Sequence, residues 1–510
     1  MHLSCREAWR VCAVGGLVLL AATLSRADVV VSALFGDNMV LQRDLAVPIW
    51  GTADPGEVVT VTLGAQKATA TPGADGKWSV KLKPMPAGGP FDLTIAGKNE
   101  LKLTNVMVGE VWLCSGQSNM AMRVSNCLNV REETAAADYP KVRVFTVANR
   151  AAEAPASDLR GRWTVCSPQQ VGSFSAVGYF FARDLHKALD VPVGIIVSAW
   201  GGTPAEAWTS LPTLQADPEF RSILESWTRR LAEYPALKAG YDEAMTQWRE
   251  RAAQAQEAGR QAPRAPGAPT GPDSPFRPAN LYNGMIAPLV PYAIRGATWY
   301  QGEANTGRAQ QYRKLLPAMI TNWRSVWGEG DFPFLIVQLA NFQRTVDQPT
   351  DSGWARLREA QLMTLKLSNT GLALAIDVGE ADNIHPKNKQ EVGRRLALWA
   401  LADTYGRKLV HSGPLYASMK VEGNAVRIRF NQVGGGLAAK DSEPLKGFAI
   451  AGADRKFVWA DARIDNSMVV VSSPDVANPL AVRYAWADNP VCNLCNKEGL
   501  PASPFRTDDW

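Results

Sequence analysis

Histidine is scarce in this sequence, with four residues in 510, at positions 2, 186, 385 and 411. No H-E-x-x-H is present, which excludes a zincin-type metal centre. Neither a G-x-x-x-x-G-K-[ST] loop nor a dinucleotide-type glycine fingerprint follows a strand pattern, so nucleotide-dependent chemistry has no motif to rest on. The seven cysteines are too few for a disulfide scaffold. Cys492-Asn-Leu-Cys495 is a lone C-x-x-C; a structural zinc site needs two more ligands, so it reads as a local disulfide or two free thiols. No metal and no cofactor is expected. Charge of one sign is also missing: 54 Lys+Arg against 49 Asp+Glu gives +5, without a basic cluster. That is no footprint for nucleic acid or for a membrane surface.

Long hydrophobic runs are absent too. The longest, Val11 to Leu24, has 14 residues, short of the roughly 20 a spanning helix needs. With Arg6 and Arg10 before it and Ser25-Arg26-Ala27 after it, residues 1–27 have the form of a secretory signal cleaved after Ala27. The expected product is secreted or periplasmic, starts at Asp28, and retains Cys114, Cys127, Cys166, Cys492 and Cys495.

What is present is globular composition, 46% hydrophobic and 20% charged, on a length that suits about two to four domains. From Val29 to about Thr104, short β-branched segments such as Val58–Leu63 and Trp78–Leu82 alternate with turn signals, which suggests a small β-sandwich. Apolar strands at Val108–Leu113, Val191–Ala199, Ile294–Tyr300, Pro333–Ala340 and Gly371–Ile376 then alternate with helical patterns at Ala176–Leu189, Ala309–Trp327, Ala355–Lys366 and Lys389–Tyr405. This is the pattern of βαβ units on a parallel sheet. A charged helical stretch, Pro218–Glu257, runs into a Pro/Gly-rich segment and reads as an insertion. From about Leu415 the pattern is β again.

The chemistry concentrates in loops that follow strands. Val111-Trp-Leu-Cys-Ser-Gly-Gln-Ser-Asn-Met120 ends a buried strand, and Gly116 permits a sharp turn presenting Ser118 at the sheet edge where open α/β sheets bind ligands. It is not the G-x-S-x-G elbow; on spacing alone Ser118 reads more readily as a turn or N-cap serine than as a nucleophile. In Ile376-Asp-Val-Gly-Glu-Ala-Asp-Asn-Ile-His-Pro386, Asp382 stands three residues before His385, within reach to fix the imidazole tautomer. Ser198-Ala-Trp-Gly-Gly-Thr203 and Trp299-Tyr-Gln-Gly-Glu-Ala-Asn305 supply paired glycines, an amide and a carboxylate at two more strand ends. Backbone N–H groups of Ser118 and a glycine, with the Gln301 amide, are the candidate oxyanion donors; each loop alone also reads as a tight turn. Trp112, Trp200, Trp208, Trp299 and Tyr282 lie near these motifs, as a sugar-stacking wall or as core.

Taken together, Gly116-Gln-Ser-Asn-Met120, Trp200-Gly-Gly-Thr203, Trp299-Tyr-Gln-Gly-Glu303 and Asp382-Asn-Ile-His385, in this order, resemble the sialate O-acetylesterase family of SGNH-type, GDSL-like carbohydrate esterases. Leu34–Arg43, Asn280–Ile286 and the tail Glu498–Thr507 are similar to the same family, except that Cys495 stands where a tyrosine is expected. The resemblance implies an α/β fold: an SGNH-hydrolase-like three-layer α/β/α domain with a parallel sheet at 106–410, carrying the insertion at about 213–278. A β-sandwich-like domain at 28–105 precedes it, and a C-terminal β domain with tail at 411–510 follows. It implies Ser118 as nucleophile, His385 as general base and acid, and Asp382 as its orienter. Ser118, Gly201 or Gly202, and Gln301 would form the oxyanion hole. Gln117, Asn119, Glu303 and Asn305 would bind substrate or brace the loops. The implied substrate is an O-acetylated sugar or glycan, sialic acid first, with acetylxylan or another polysaccharide as the alternative. A non-catalytic carbohydrate-binding protein is the alternative of another class.

Overall fold

A computed structural model of the chain describes residues 28–510; the signal expected at 1–27 lies outside the described residues. The main path of its largest sheet runs through β1 (Glu100–Gly116), β2 (Val142–Thr146), β3 (Trp163–Val165), β4 (Val193–Ala199), β5 (Gly296–Tyr300), β6 (Phe334–Val337) and β7 (Thr370–Ala373). Their spatial order is β3-β2-β4-β1-β5-β6-β7. All neighbours pair in parallel except β3, which is antiparallel to β2.

β1 organises this sheet. Its first residues, Glu-Leu-Lys-Leu-Thr-Asn, alternate between exposed and half-buried, and its last eleven are all buried. Alternation is the mark of an antiparallel strand with one wet face; a continuous buried run is that of a parallel strand covered on both faces. Both regimes are used. The first half pairs antiparallel with Gly88–Ala96, and the second half lies parallel between β4 and β5. Asn105, with φ 56°, is the last residue before burial becomes continuous, and the partners change a little later, between Val108 and Glu110. The boundary expected between 105 and 106 therefore falls inside one continuous strand, where its burial pattern changes.

Helices cover both faces. Trp112 and Cys114 of β1 join a core with α2 (Ala176–Leu189) and α6 (Lys389–Trp399). The intervening Val111 and Leu113 belong to a second core with α4 (Ala309–Trp327) and α5 (Gly353–Met363). The period-2 alternation of a strand puts neighbours on opposite faces, so each strand serves two cores. The remaining helices used below are α1 (Ser118–Ala121) and α3 (Arg221–Glu257). Of the 37 residues of α3 only Ile223 and Ala255 are buried.

The molecule is thus a mixed α/β protein with a large mixed sheet and β-rich regions before and after it. The last region is held to the centre by Arg358 of α5, which is fully buried and donates to the carbonyls of Leu339, Ala340, Ala487 and Asp488 at 2.7–2.9 Å. Four hydrogen bonds satisfy a guanidinium that forms no ion pair among the described residues, and they tie the chain after β6 to the C-terminal strands. Cys114, Cys127, Cys166, Cys492 and Cys495 are all free thiols, so the C-x-x-C takes the second of its two readings.

Candidate active site

At the end of β1 the backbone must leave the sheet against β5. Gly116 does this with φ 137°, and a Cβ there would sit 2.2 Å from the Tyr300 carbonyl oxygen, so only glycine fits. The Gln117 N–H donates to that same oxygen at 3.0 Å, and α1 begins at Ser118. Ser118 therefore stands at the carboxyl end of the central strand, flanked by β4 and β5. The chain leaves β1 toward β2 on one side and later crosses from β4 to β5 on the other, so the winding direction reverses at β1, the switch point where open sheets hold ligands.

His385 comes from the loop after β7. Glu380 braces that loop: its Oε2 accepts from Asn383 Nδ2 at 3.0 Å and its Oε1 from the Lys387 N–H at 2.7 Å. Asn383 Oδ1 in turn accepts the His385 N–H at 3.0 Å. The loop carries the ring to Ser118, where His385 Nε2 and Ser118 Oγ are 2.8 Å apart across 267 residues of sequence. With its proton on Nδ1, the imidazole accepts from the hydroxyl. The pair opens on a cavity of about 820 Å³, also lined by Gly201, Arg123 and Asn383.

Behind the pair lies a buried polar cluster. Asn119 Nδ2 donates to Glu303 Oε1 at 2.6 Å and to the Ile384 carbonyl at 3.0 Å. Asn119 Oδ1 accepts from Lys389 Nζ at 2.5 Å. One carboxamide thus joins the turn that carries Ser118 to the residue before His385. Lys389 is fully buried, its ammonium 5.2 Å from the Tyr300 ring centroid. Burial pushes its pKa down to about 7, against the opposing charges of Glu303 and Glu380. Burial also raises the Glu303 carboxyl above its ordinary range. The His385 imidazole is held below its ordinary pKa, first by desolvation and then by the Lys389 charge. A depressed imidazole is neutral at pH 7 and able to take a proton.

The N–H groups of Ser118 and Gly201 have no hydrogen-bond partner among the described residues. A Cβ on Gly201 would lie 3.3 Å from Ser118 Cβ, so this glycine lets the β4 loop close on the nucleophile turn. Gly202, with φ +75°, lines a neighbouring cavity instead.

Several expected roles need correction. Gln301 is fully buried, and its Nε2 donates to the Thr203 carbonyl at 3.2 Å and to Asn305 Oδ1 at 2.6 Å. Both amide hydrogens are committed to holding the β4 and β5 loops together, which leaves none for an oxyanion. Asp382 is exposed and makes no hydrogen bond to the His385 ring; the loop closes instead through Glu380 and Asn383. Asn305 accepts from the Ala205 N–H and donates to Glu206, and Gln117 Oε1 takes the N–H groups of Gly302 and Ala304, so both brace loops. Trp112, Trp208 and Trp299 are fully buried and Tyr282 is 7% exposed, which makes them core and leaves Trp200 alone of the suggested wall.

Sequence reasoning missed Lys389, Glu380 and Asn383. Lys389 left one signal: a lysine opening a helix, where its charge opposes the helix dipole, four residues after His385.

Comparison with known proteins agrees with this architecture. Residues 108–241 and 273–402 match the family described as carbohydrate esterase, sialic acid-specific acetylesterase. The sialate O-acetylesterase of Mus musculus is 31% identical over 96% of this chain and 97% of its own length. The Homo sapiens enzyme of the same name is 31% identical over 92% of this chain and 90% of its own. The crystal structure of a carbohydrate acetylesterase from Xanthomonas citri superimposes with a TM-score of 0.82 at 37% identity, covering 95% of this chain and all of that one. The fold and these relatives define a carboxylic ester hydrolase of the carbohydrate esterase class. More narrowly, the chain belongs to the sialic acid-specific acetylesterase family.

Proposed function

We propose that this protein removes O-acetyl groups from sugars, sialic acid foremost, by acyl transfer through Ser118. The single observation that carries the reading is the 2.8 Å contact between Ser118 Oγ and His385 Nε2 at the mouth of a large cavity. His385 takes the hydroxyl proton as the oxygen attacks the acetyl carbonyl, and the Ser118 and Gly201 N–H groups receive the oxyanion. Collapse of the tetrahedral adduct expels the sugar oxygen, which takes the proton from His385 and leaves an acetyl ester on Ser118. Water, deprotonated by the same imidazole, then releases acetate and restores the hydroxyl.

The helix-covered sheet fits an SGNH-type three-layer α/β/α domain at 106–410, with β domains at 28–105 and 411–510. No helix among the described residues is long and apolar enough to cross a membrane. With the signal at 1–27, the protein is secreted or periplasmic. A second substrate reading is acetylxylan or another acetylated polysaccharide, since the 37% identical Xanthomonas citri protein is named a carbohydrate acetylesterase without restriction to sialic acid. Acetate release from 9-O-acetylated sialic acid and from acetylated xylan separates the two. Ser118→Ala and His385→Ala are each expected to lower turnover of p-nitrophenyl acetate by at least a thousandfold with the thermal midpoint kept. Near-normal turnover in either variant refutes the assignment.

A further inference from the structure

Gly201 and Gly202 separate two cavities. Gly201 lines the one that holds Ser118, and Gly202 lines a second of about 490 Å³. A Cβ on Gly202 would lie 3.8 Å from the Phe276 ring, while one on Gly201 would lie 3.3 Å from Ser118 Cβ. Two residues of backbone thus stand between the nucleophile and an aromatic ring that is 42% exposed.

The far wall of the second cavity is one face of α3. Ser222, Ile223, Ser226, Trp227 and Arg230 line it, at spacings that place them along a single helical stripe. Trp227 is half-buried, with the Arg230 guanidinium 5.3 Å from its ring centroid. Among the described residues Arg230 forms no ion pair and the Ser226 hydroxyl no hydrogen bond, while Ser222 Oγ accepts from Gln311 Nε2 at 3.3 Å. Arg308, on the opposite side, is already paired with Glu206. Within this stripe only Ile223 is buried.

Pyranose rings offer an apolar C–H face to aromatic surfaces and a rim of hydroxyls to polar side chains; a small pocket with both kinds of wall suits such a ring. We propose that the second cavity is a subsite for the sugar residue next to the acetylated one, so that the preferred substrate is an acetylated oligosaccharide. Trp227 and Phe276 stack on that ring, and Ser222, Ser226 and Arg230 bind its hydroxyls. The proposal rests on Ser118 being the nucleophile.

The test measures kcat/KM on three kinds of substrate: p-nitrophenyl acetate, the O-acetylated free sugars sialic acid and xylose, and their longer forms, O-acetylated sialyllactose and xylotriose. The wild type is expected to prefer the longer member of at least one pair by tenfold or more. Trp227→Ala and Phe276→Ala are expected to abolish that preference while changing p-nitrophenyl acetate turnover by less than twofold. Trp227→Phe, which keeps a stacking face, is expected to retain most of it. A wild type indifferent to chain length overturns the subsite, as do variants that lose all substrates equally. If the wild type cleaves none of the esters, or Ser118→Ala remains active, the nucleophile assignment itself falls, and this is a distinguishable result.

Discussion

Removing the Asn119 side chain tests the cluster behind the site most directly. Asn119→Ala breaks three hydrogen bonds inside the protein: those to the Lys389 ammonium, the Glu303 carboxylate and the Ile384 carbonyl. Hydrogen bonds to charged partners are worth about 1.5–3 kcal/mol each and a neutral one about 1, so the expected destabilisation is about 4–7 kcal/mol. Lys389, already pushed down to about 7, can shed its charge, which places the outcome toward the lower end. Domains of ordinary stability hold only about 5–15 kcal/mol, so the variant should unfold at much lower urea concentration. Tryptophan fluorescence against urea at pH 7 measures the loss. A cycle with Lys389→Met isolates the Asn119–Lys389 coupling, expected at about 1.5–3 kcal/mol. Because Asn119 also ties the Ser118 turn to the residue before His385, kcat/KM for p-nitrophenyl acetate should fall at least a hundredfold in the fraction that remains folded. A stability loss under about 1 kcal/mol, with an additive cycle and normal activity, refutes the idea that this cluster positions the pair.

Two more expectations follow from the electrostatics and the loop geometry. Lys389 is cationic below pH 7 and opposes protonation of His385, so Lys389→Met should raise the imidazole pKa and move the acid limb of kcat/KM to higher pH; a limb that stays put or moves down contradicts the coupling. Asp382→Asn should cost less than tenfold in kcat on the same ester, because the carboxylate faces solvent; a loss near the roughly 10⁴-fold expected for an orienting carboxylate would show that Asp382 does contact the ring.

Much of the architecture could be read from local pattern. The predicted helices at Ala176–Leu189 and Ala309–Trp327 match the observed bounds, because an apolar stripe of period 3.6 is a local property of the chain. The change in β1 from alternating to continuous burial is equally local, and it falls just before the antiparallel pairing ends and the parallel sheet begins. Gly116 and Gly201 were legible as places where backbone approaches closely, whereas a Cβ on Gly202 would make only ordinary contact with Phe276. The direction of a side chain in a loop was not legible: sequence proximity suggested Asp382 for His385 and an open amide for Gln301. The loop instead closes through Glu380 and Asn383, and Gln301 is absorbed between Thr203 and Asn305.

Periodicity, glycine placement and residue type thus located five of the seven strands on the main sheet path, all but Val142–Thr146 and Trp163–Val165, together with its principal helices, and suggested that a serine and a histidine lie on loops leaving the same edge of a sheet. Each of those properties depends on a few neighbouring residues and survives without knowledge of the rest of the chain. The 2.8 Å contact between residues 118 and 385, the burial of Lys389 beneath them and the wall that α3 sets beside Gly202 were decided only by the folded molecule. These depend on hydrogen bonds and desolvation among groups hundreds of residues apart, whose strength exists only once water has been excluded from between them.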